Sequence, residues 1–283
     1  MEVIVADVLG YCMGVRRAME KAVSALNFYS QKEVYSLGPL IHNQAALNFL
    51  AEKGLKIVEE EQISSIKNGS VVIIRAHGVC PQILQELNQK ECVIIDATCP
   101  RVLASQKNVQ KFSKKGFKIV LAGDKNHGEV KGIQGYAGKN FALIENSTDA
   151  QSFVFEKSDE SSLFLSQTTF SPSEFEKISE ILLKKNPSVK IMNTICPATK
   201  ERQDSLIRLC PKVEGVLIVG GKNSANTKRL FETAKNLCKN AKLIENYTEI
   251  PESFFKLKSV GITAGASTPD SVILEVKSSL QKS

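Results

Sequence analysis

The sequence lacks the patterns of several protein classes. Its longest apolar runs, such as residues 215–221, fall far short of the ~18–20 residues that span a bilayer. It has no GxxxxGK[ST] segment, so a P-loop nucleotide site is not indicated. The opening residues, MEVIVADV, carry no basic region ahead of an apolar stretch. We therefore expect a cytoplasmic protein with no membrane partner.

Paired cysteine motifs are also absent. The chain has seven cysteines, an odd number, and none forms a CxxC pair. A zinc ribbon and a thioredoxin-type dithiol are therefore not indicated, and in a reducing compartment disulfides are not expected. Any shared role of the thiols must come from residues far apart in sequence.

The composition is that of an ordinary globular protein. Of 283 residues, 42% are hydrophobic and 24% are charged, with a formal net charge of +7. A basic balance suits nucleic acid, an anionic surface or a phosphorylated substrate. The lysines are dispersed and no basic stripe alternates with aromatic residues. We therefore interpret the charge as solvated surface and expect no nucleic-acid partner.

Short apolar runs alternate with helical patterns along the chain. Strand-like runs include residues 71–74, 118–121 and 216–219, and the apolar residues after Cys12 follow the i, i+3, i+4 spacing of a helix face. This alternation is typical of α/β proteins with parallel sheets.

Three of the strands run directly into a cysteine, which indicates a repeat. They end at Cys12, Cys99 and Cys196, 87 and 97 residues apart. We predict three α/β units related by a pseudo-threefold axis: residues 13–97, 98–194, and 195–283 completed by the N-terminal strand in 1–12. Ligands of parallel α/β sheets bind beyond the carboxyl ends of the strands, so a central cavity is expected there.

The three repeat cysteines are predicted to begin helices. Proline, which suits the first helical turn, follows Cys99 and Cys196, and Cys12 lies between Gly10 and Gly14. The partial positive charge of a helix N-terminus favours a thiolate, the form that iron–sulfur clusters and soft metals bind. Three thiolates without a fourth suggest a cluster with one open iron. A zinc site completed by histidine and three buried structural cysteines are the alternatives.

Polar side chains gather at the predicted strand ends. They include all three histidines of the chain, and Gly-rich turns that lead into helices add main-chain N–H donors. Such a donor set suits a phosphate or diphosphate. The side chains are His42, His77, His127, Ser224, Asn226 and Ser267.

One carboxylate stands among these donors. Glu129 follows His127 by two residues, and it would repel a diphosphate unless it carried a proton. It is therefore a candidate general acid, with Thr168 and Thr169 of SQTT as hydroxyls that could relay the proton. The alternative is a surface glutamate paired with Lys125 or Lys131.

These segments, in order, resemble the 4-hydroxy-3-methylbut-2-enyl diphosphate reductase family, also called the LytB or IspH family. The resemblance extends from residue 3 to about residue 270. It rests on GYCMGVRRA, GPLIHN, RAHGV, DATCP, GDKNHGEV, SQTT, NTICPAT, NSAN and TAGAST.

The resemblance implies the last step of the methylerythritol phosphate route to isoprenoid precursors, in which two electrons and two protons remove an allylic hydroxyl. It also implies a trefoil of three α/β domains and a ferredoxin or flavodoxin as electron donor. Cys12, Cys99 and Cys196 would hold one 4Fe–4S cluster whose fourth iron is open, and Glu129 with Thr168 would deliver the proton. The polar strand ends would hold the diphosphate, with Thr168, Thr169 and Ala225 beside them.

One position departs from the family pattern, and two other functions stay open. The family commonly has a serine where this chain has Ala225, so only the main-chain N–H could contribute there. The alternatives are a cluster-containing sensor of a phosphorylated metabolite, in which Glu129 has no role, and a zinc hydrolase in which Glu129 is the base.

Overall fold

The computed structural model describes residues 1–156 and 161–282, which form an α/β fold. The strands are β1 (Glu2–Val5), β2 (Val34–Leu37), β3 (Leu55–Val58), β4 (Val71–Ile74), β5 (Val93–Asp96), β6 (Lys118–Ala122), β7 (Phe141–Ile144), β8 (Ser162–Ser166), β9 (Lys190–Ile191), β10 (Gly215–Val219), β11 (Asn240–Ile244) and β12 (Ser259–Ala264). The helices are α1 (Met13–Phe28), α2 (Gln44–Glu52), α3 (Pro81–Gln89), α4 (Pro100–Ser113), α5 (Gly128–Ala137), α6 (Ser147–Ser152), α7 (Pro172–Lys185), α8 (Pro197–Leu209), α9 (Ala225–Leu237) and α10 (Asp270–Gln281).

The strands form three sheets with the same internal order. These are β3-β2-β4-β5, β7-β6-β8-β9 and β11-β10-β12-β1. The pairs β2–β4, β6–β8 and β10–β12 are parallel, and so is the pairing of β1 with β12. The predicted α/β class with parallel sheets is confirmed.

In each sheet the edge strand on one side leads into a repeat cysteine. That strand is β5 in the first sheet, β9 in the second and β1 in the third. The third sheet is thus completed by the amino-terminal strand. The predicted boundaries of the three units, at residues 97 and 194, stay a prediction.

The described chain divides into two compact units. One comprises residues 1–26, 39–55 and 197–283, and the other comprises 27–38 and 56–196. In the first, side chains of β10 alternate between two apolar clusters: Leu217 and Val219 enter one, and Val216 and Ile218 the other. In the second, β6 does the same with Val120 and Ile119. Because both faces of these strands are buried, they read as continuous apolar runs.

The state of the thiols and the character of the helices can be read directly from the fold. All seven cysteines are free thiols, as the sequence predicts. Among the helices of residues 1–156 and 161–282, none has the length and apolar character needed to cross a membrane.

Candidate active site

The three repeat cysteines occupy equivalent positions. Each lies directly before a helix, since α1 begins at Met13, α4 at Pro100 and α8 at Pro197. Each also donates its main-chain N–H to the residue two positions beyond the end of the adjacent strand: Cys12 to Ala266 O (3.1 Å), Cys99 to Ala76 O (3.0 Å) and Cys196 to Thr168 O (2.8 Å). The predicted helix starts are confirmed.

The environment of these thiols suits ligation. All three residues are partly exposed rather than buried. The Cys12 sulfur accepts the main-chain N–H of Val15, in the first turn of α1, at 3.5 Å. A helix N-terminus offers N–H groups that stabilise a negative sulfur.

The remaining cysteines have a different setting. Cys210 and Cys238 are buried in an apolar cluster behind β10, and burial raises the pKa of Cys210 to about 11. Burial also raises the pKa of Cys92, which packs against the core of the first sheet. Cys80 lies beside the same core. A protonated thiol is a poor metal ligand, so Cys92 and Cys210 fit a structural role.

Two of the candidate histidines lie side by side in the unit formed by residues 27–38 and 56–196, called the larger unit below. The imidazole rings of His77 and His127 meet edge to face, with centroids 4.9 Å apart. His127 caps α5, where its Nδ1 accepts the main-chain N–H of Glu129 at 3.2 Å. A neutral imidazole that accepts at Nδ1 carries its proton on Nε2, so His127 can donate from Nε2 to an anion.

Glu129 is enclosed together with Thr168. The glutamate is 1% exposed, and its two carboxylate oxygens accept the main-chain N–H and the hydroxyl of Thr168, both at 2.7 Å. The alternative of a surface glutamate is therefore wrong. The pair forms because α5 begins after β6 and Thr168 follows β8, the neighbouring strand. A buried carboxylate hydrogen-bonded to a hydroxyl has the geometry of a proton relay.

Sequence reasoning missed Gln167, which lies beside this pair. Its side chain is fully buried; Oε1 accepts the main-chain N–H of Asp124 (3.0 Å), and Nε2 donates to the Thr169 hydroxyl (2.9 Å). It therefore ties the loop before His127 to the end of β8. The available signal was a long polar residue at a strand end within SQTT, next to two residues already singled out.

The other candidates lie in the smaller unit, which begins with residues 1–26 and 39–55 and continues from residue 197. The Ser267 hydroxyl donates to the main-chain oxygen of His42 at 3.0 Å. Ser224 caps α9 and accepts the main-chain N–H of Thr227, which leaves its own hydroxyl proton to donate elsewhere. Ala225 is the first residue of α9, so its N–H lies where helical N–H groups have no helical acceptor.

Asn226 is the most informative residue of this second set. It is 4% exposed, and its Nδ2 has no hydrogen-bond partner among the described residues. An unpaired buried donor costs about 1–3 kcal/mol, so it needs an explanation. A bound anion would supply the missing acceptor.

The candidates thus form two groups, one in each unit. In the larger unit the structure links Cys99, His77, His127, Glu129, Thr168 and Cys196 through hydrogen bonds, ring contacts and neighbouring positions in the chain. In the smaller unit it links Cys12 to Ala266 beside Ser267, and Ser267 to His42. Ser224, Ala225 and Asn226 follow β10 in the same unit.

Comparison with known proteins decides the family. The family model described as LytB protein matches residues 3–281. The chain belongs to the LytB family. A 4-hydroxy-3-methylbut-2-enyl diphosphate reductase of Treponema denticola is 43% identical, over 97% of this chain and 97% of that protein. One of Caldanaerobacter subterraneus subsp. tengcongensis is 40% identical, over 98% and 95%.

Solved structures agree with this LytB assignment. The reductase of Plasmodium falciparum matches with a TM-score of 0.91 and 28% identity, covering 99% of this chain and 87% of that one. A second structure, described as the terminal enzyme of the non-mevalonate pathway, matches with a TM-score of 0.72 and 39% identity over the full length of both chains. Membership of the LytB family implies an iron–sulfur protein.

Proposed function

We propose that this chain is a 4-hydroxy-3-methylbut-2-enyl diphosphate reductase, the oxidoreductase that completes the non-mevalonate route to isoprenoid precursors. One allylic alcohol, two electrons and two protons give one molecule of isopentenyl or dimethylallyl diphosphate and one of water. One proton leaves with the hydroxyl as water, and the other is added to carbon. The observation that carries the proposal beyond family membership is the buried Glu129–Thr168 pair beside Cys196.

The proposed cluster ligands are Cys12, Cys99 and Cys196. Their fit rests on the chemistry of the set: three thiols, partly exposed, each at the start of a helix and each bonded to the end of a neighbouring strand. Thiolates are the ordinary ligands of 4Fe–4S clusters. Held by these three thiolates, an iron–sulfur cluster would supply electrons to the reaction and a Lewis-acidic iron.

The diphosphate is assigned to the polar strand ends. His127 has a donor at Nε2, and Asn226 has a buried donor that lacks a partner among the described residues. Ser224 keeps a hydroxyl proton, and the N–H of Ala225 opens a helix, where an anion is stabilised. His42, His77, Thr169 and Ser267 are assigned to the same role from their positions.

Glu129 is the proposed proton donor. In its protonated form it passes a proton to the Thr168 hydroxyl, 2.7 Å away, which gives its own proton to the departing substrate oxygen. The Thr168 N–H, fixed by the main chain, holds the other carboxylate oxygen in place. Enclosure of the pair excludes bulk water, so the relay is directed along one path.

The electron donor is expected to be a small ferredoxin or flavodoxin. This protein itself is expected to be cytoplasmic. Both expectations come from the sequence and its family resemblance. The dispersed lysines of the chain do not single out a docking surface for such a carrier.

The test is substrate-dependent oxidation of a reduced viologen dye by anaerobically purified protein, with the cluster absorbance recorded beforehand. Steady dye oxidation on adding 4-hydroxy-3-methylbut-2-enyl diphosphate is the expected result. A brown, iron-loaded sample that does not oxidise the dye would favour a sensor. A colourless sample with bound zinc would favour the zinc hydrolase.

A further inference from the structure

A buried arginine connects the three segments that carry the histidines of the chain. Arg75 follows β4, two residues before His77, and is 9% exposed. Its guanidinium lies against Gly38, which opens the segment GPLIHN, and against Gly128, between His127 and Glu129. Each histidine segment therefore contributes one residue to this contact.

The contact is so close that a side chain at either glycine would displace the guanidinium. A Cβ at Gly38 would overlap Nη1 of Arg75. A Cβ at Gly128 would lie 2.9 Å from Nη2, 3.0 Å from Cζ and 3.2 Å from Nε, so the guanidinium covers this residue with its whole width. Gly38 also has a φ of +66°, which glycine adopts without strain.

Other contacts fix the arginine itself. Nη2 forms an ion pair with Glu60, whose side chain is 23% exposed, while Nε has no hydrogen-bond partner among the described residues. The main-chain oxygen of Arg75 accepts the N–H of Gly78 at 3.0 Å, which closes the turn that holds His77. A buried ion pair of this kind is a weak source of stability, because desolvation offsets most of the attraction. Its position therefore calls for a reason other than stability.

We propose that Arg75 is a positioning residue that fixes the His77 turn relative to the first turn of α5. Its main chain closes the turn that contains His77, and its guanidinium packs on the glycine between His127 and the proposed proton donor Glu129. The inference rests on the proposed function for the roles of His127 and Glu129. It adds that the spacing of these groups is set by a planar side chain held between two glycines.

A double-mutant cycle tests the contact. We expect Gly128→Ala to lower kcat/KM at least about tenfold, since displacements of about 1 Å at reacting groups cost up to about 10²-fold. Arg75→Lys removes the planar guanidinium and makes room for the new methyl group. Gly128→Ala should therefore cost much less in the Arg75→Lys background than in the wild type. Additive effects of the two substitutions on kcat/KM would overturn the proposal.

A second measurement does not depend on turnover. Because the chain has only three histidines, imidazole NMR signals of the oxidised holoenzyme can be assigned with single His→Asn variants. Arg75→Lys should shift the signals of His77 and His127, whereas Arg208→Lys, at an exposed arginine paired with Asp7, should shift neither. Unshifted signals in folded Arg75→Lys would refute the positioning role. An inactive wild type with the expected shifts would refute the proposed function alone.

Discussion

Replacing Glu129 by glutamine changes one atom of the proposed relay and leaves its shape. The carboxylate accepts two short hydrogen bonds from Thr168 in an enclosed setting. Glutamine can keep its oxygen on the Thr168 N–H and turn its amide N–H₂ toward the hydroxyl, which can accept as well as donate. The fold and the hydrogen-bond network should therefore survive.

The energetic cost follows from the same two bonds. Hydrogen bonds to a charged group contribute about 1.5–3 kcal/mol each and neutral ones about 0.5–1.5 kcal/mol. Because the protonated Glu129 of the proposed relay is neutral, its replacement by a neutral amide should lower the free energy of unfolding by no more than about 1.5 kcal/mol, the value of one neutral hydrogen bond. An amide does not release a proton to the substrate, so turnover should fall by about 10²–10⁴, the usual contribution of a general acid.

The assay compares Glu129→Gln with a matched control. Glu174→Gln makes the same chemical change at another glutamate, whose Oε1 accepts the main-chain N–H of Ser147 at 2.6 Å. Cluster absorbance, KM and dye oxidation are measured for both variants. We expect Glu174→Gln to turn over normally and Glu129→Gln to keep its cluster while losing turnover. Normal turnover by cluster-loaded Glu129→Gln would refute the assignment of the proton donor.

Four other outcomes are expected. Thr168→Val should lower kcat strongly, whereas Thr168→Ser should keep most of the wild-type kcat, because serine retains the hydroxyl that donates to Glu129. Equal kcat values for the two variants would contradict the relay. Replacing Cys12, Cys99 or Cys196 by serine should abolish the visible cluster absorbance, whereas Cys92→Ser should retain it. An intact absorbance band in a variant of Cys12, Cys99 or Cys196 would contradict the proposed ligand set. Ala225→Ser should lower KM by about 2–10-fold, because the new hydroxyl adds one neutral hydrogen bond to the substrate, worth about 0.5–1.5 kcal/mol. A raised KM would show that this hydroxyl does not contact the substrate. Burial raises the pKa of Cys210 to about 11 from its usual 9, so the folded state favours the protonated thiol. The stability that this preference adds below pH 9 is therefore lost as the pH rises from 9 to 11. Alkylation of Cys210 at pH 9, followed by mass spectrometry, should be slow, and rapid labelling would contradict the burial.

Sequence alone identified the central strands with continuous apolar runs and the three edge strands that lead into the repeat cysteines. Central strands such as β6 and β10 read as continuous apolar runs, because neighbours cover both of their faces. Apolar pattern does not indicate β2, β3, β7 and β11, and three of these strands lie at sheet edges. Edge strands mix polar and apolar residues, as Asn240–Ile244 does, and their pairing depends on partners distant in sequence.

The candidate site was predictable where local pattern specifies it. Proline after Cys99 and Cys196 indicated the helix starts, and the expectation that polar side chains gather at the strand ends of parallel sheets included Ser267. Contacts between side chains were not predictable. The burial of Glu129, the bridging amide of Gln167 and the packing of Arg75 on Gly128 depend on how separate elements pack, and no spacing in the sequence encodes them.

The most direct test of the central claim is the electron balance of the reaction. Anaerobic, iron-loaded protein is mixed with reduced viologen and 4-hydroxy-3-methylbut-2-enyl diphosphate, and both the oxidised dye and the diphosphate products are quantified. The proposed reaction predicts two one-electron dye molecules oxidised for each molecule of isopentenyl or dimethylallyl diphosphate formed. Dye oxidation without these products, or an iron-loaded sample that forms neither, would contradict it.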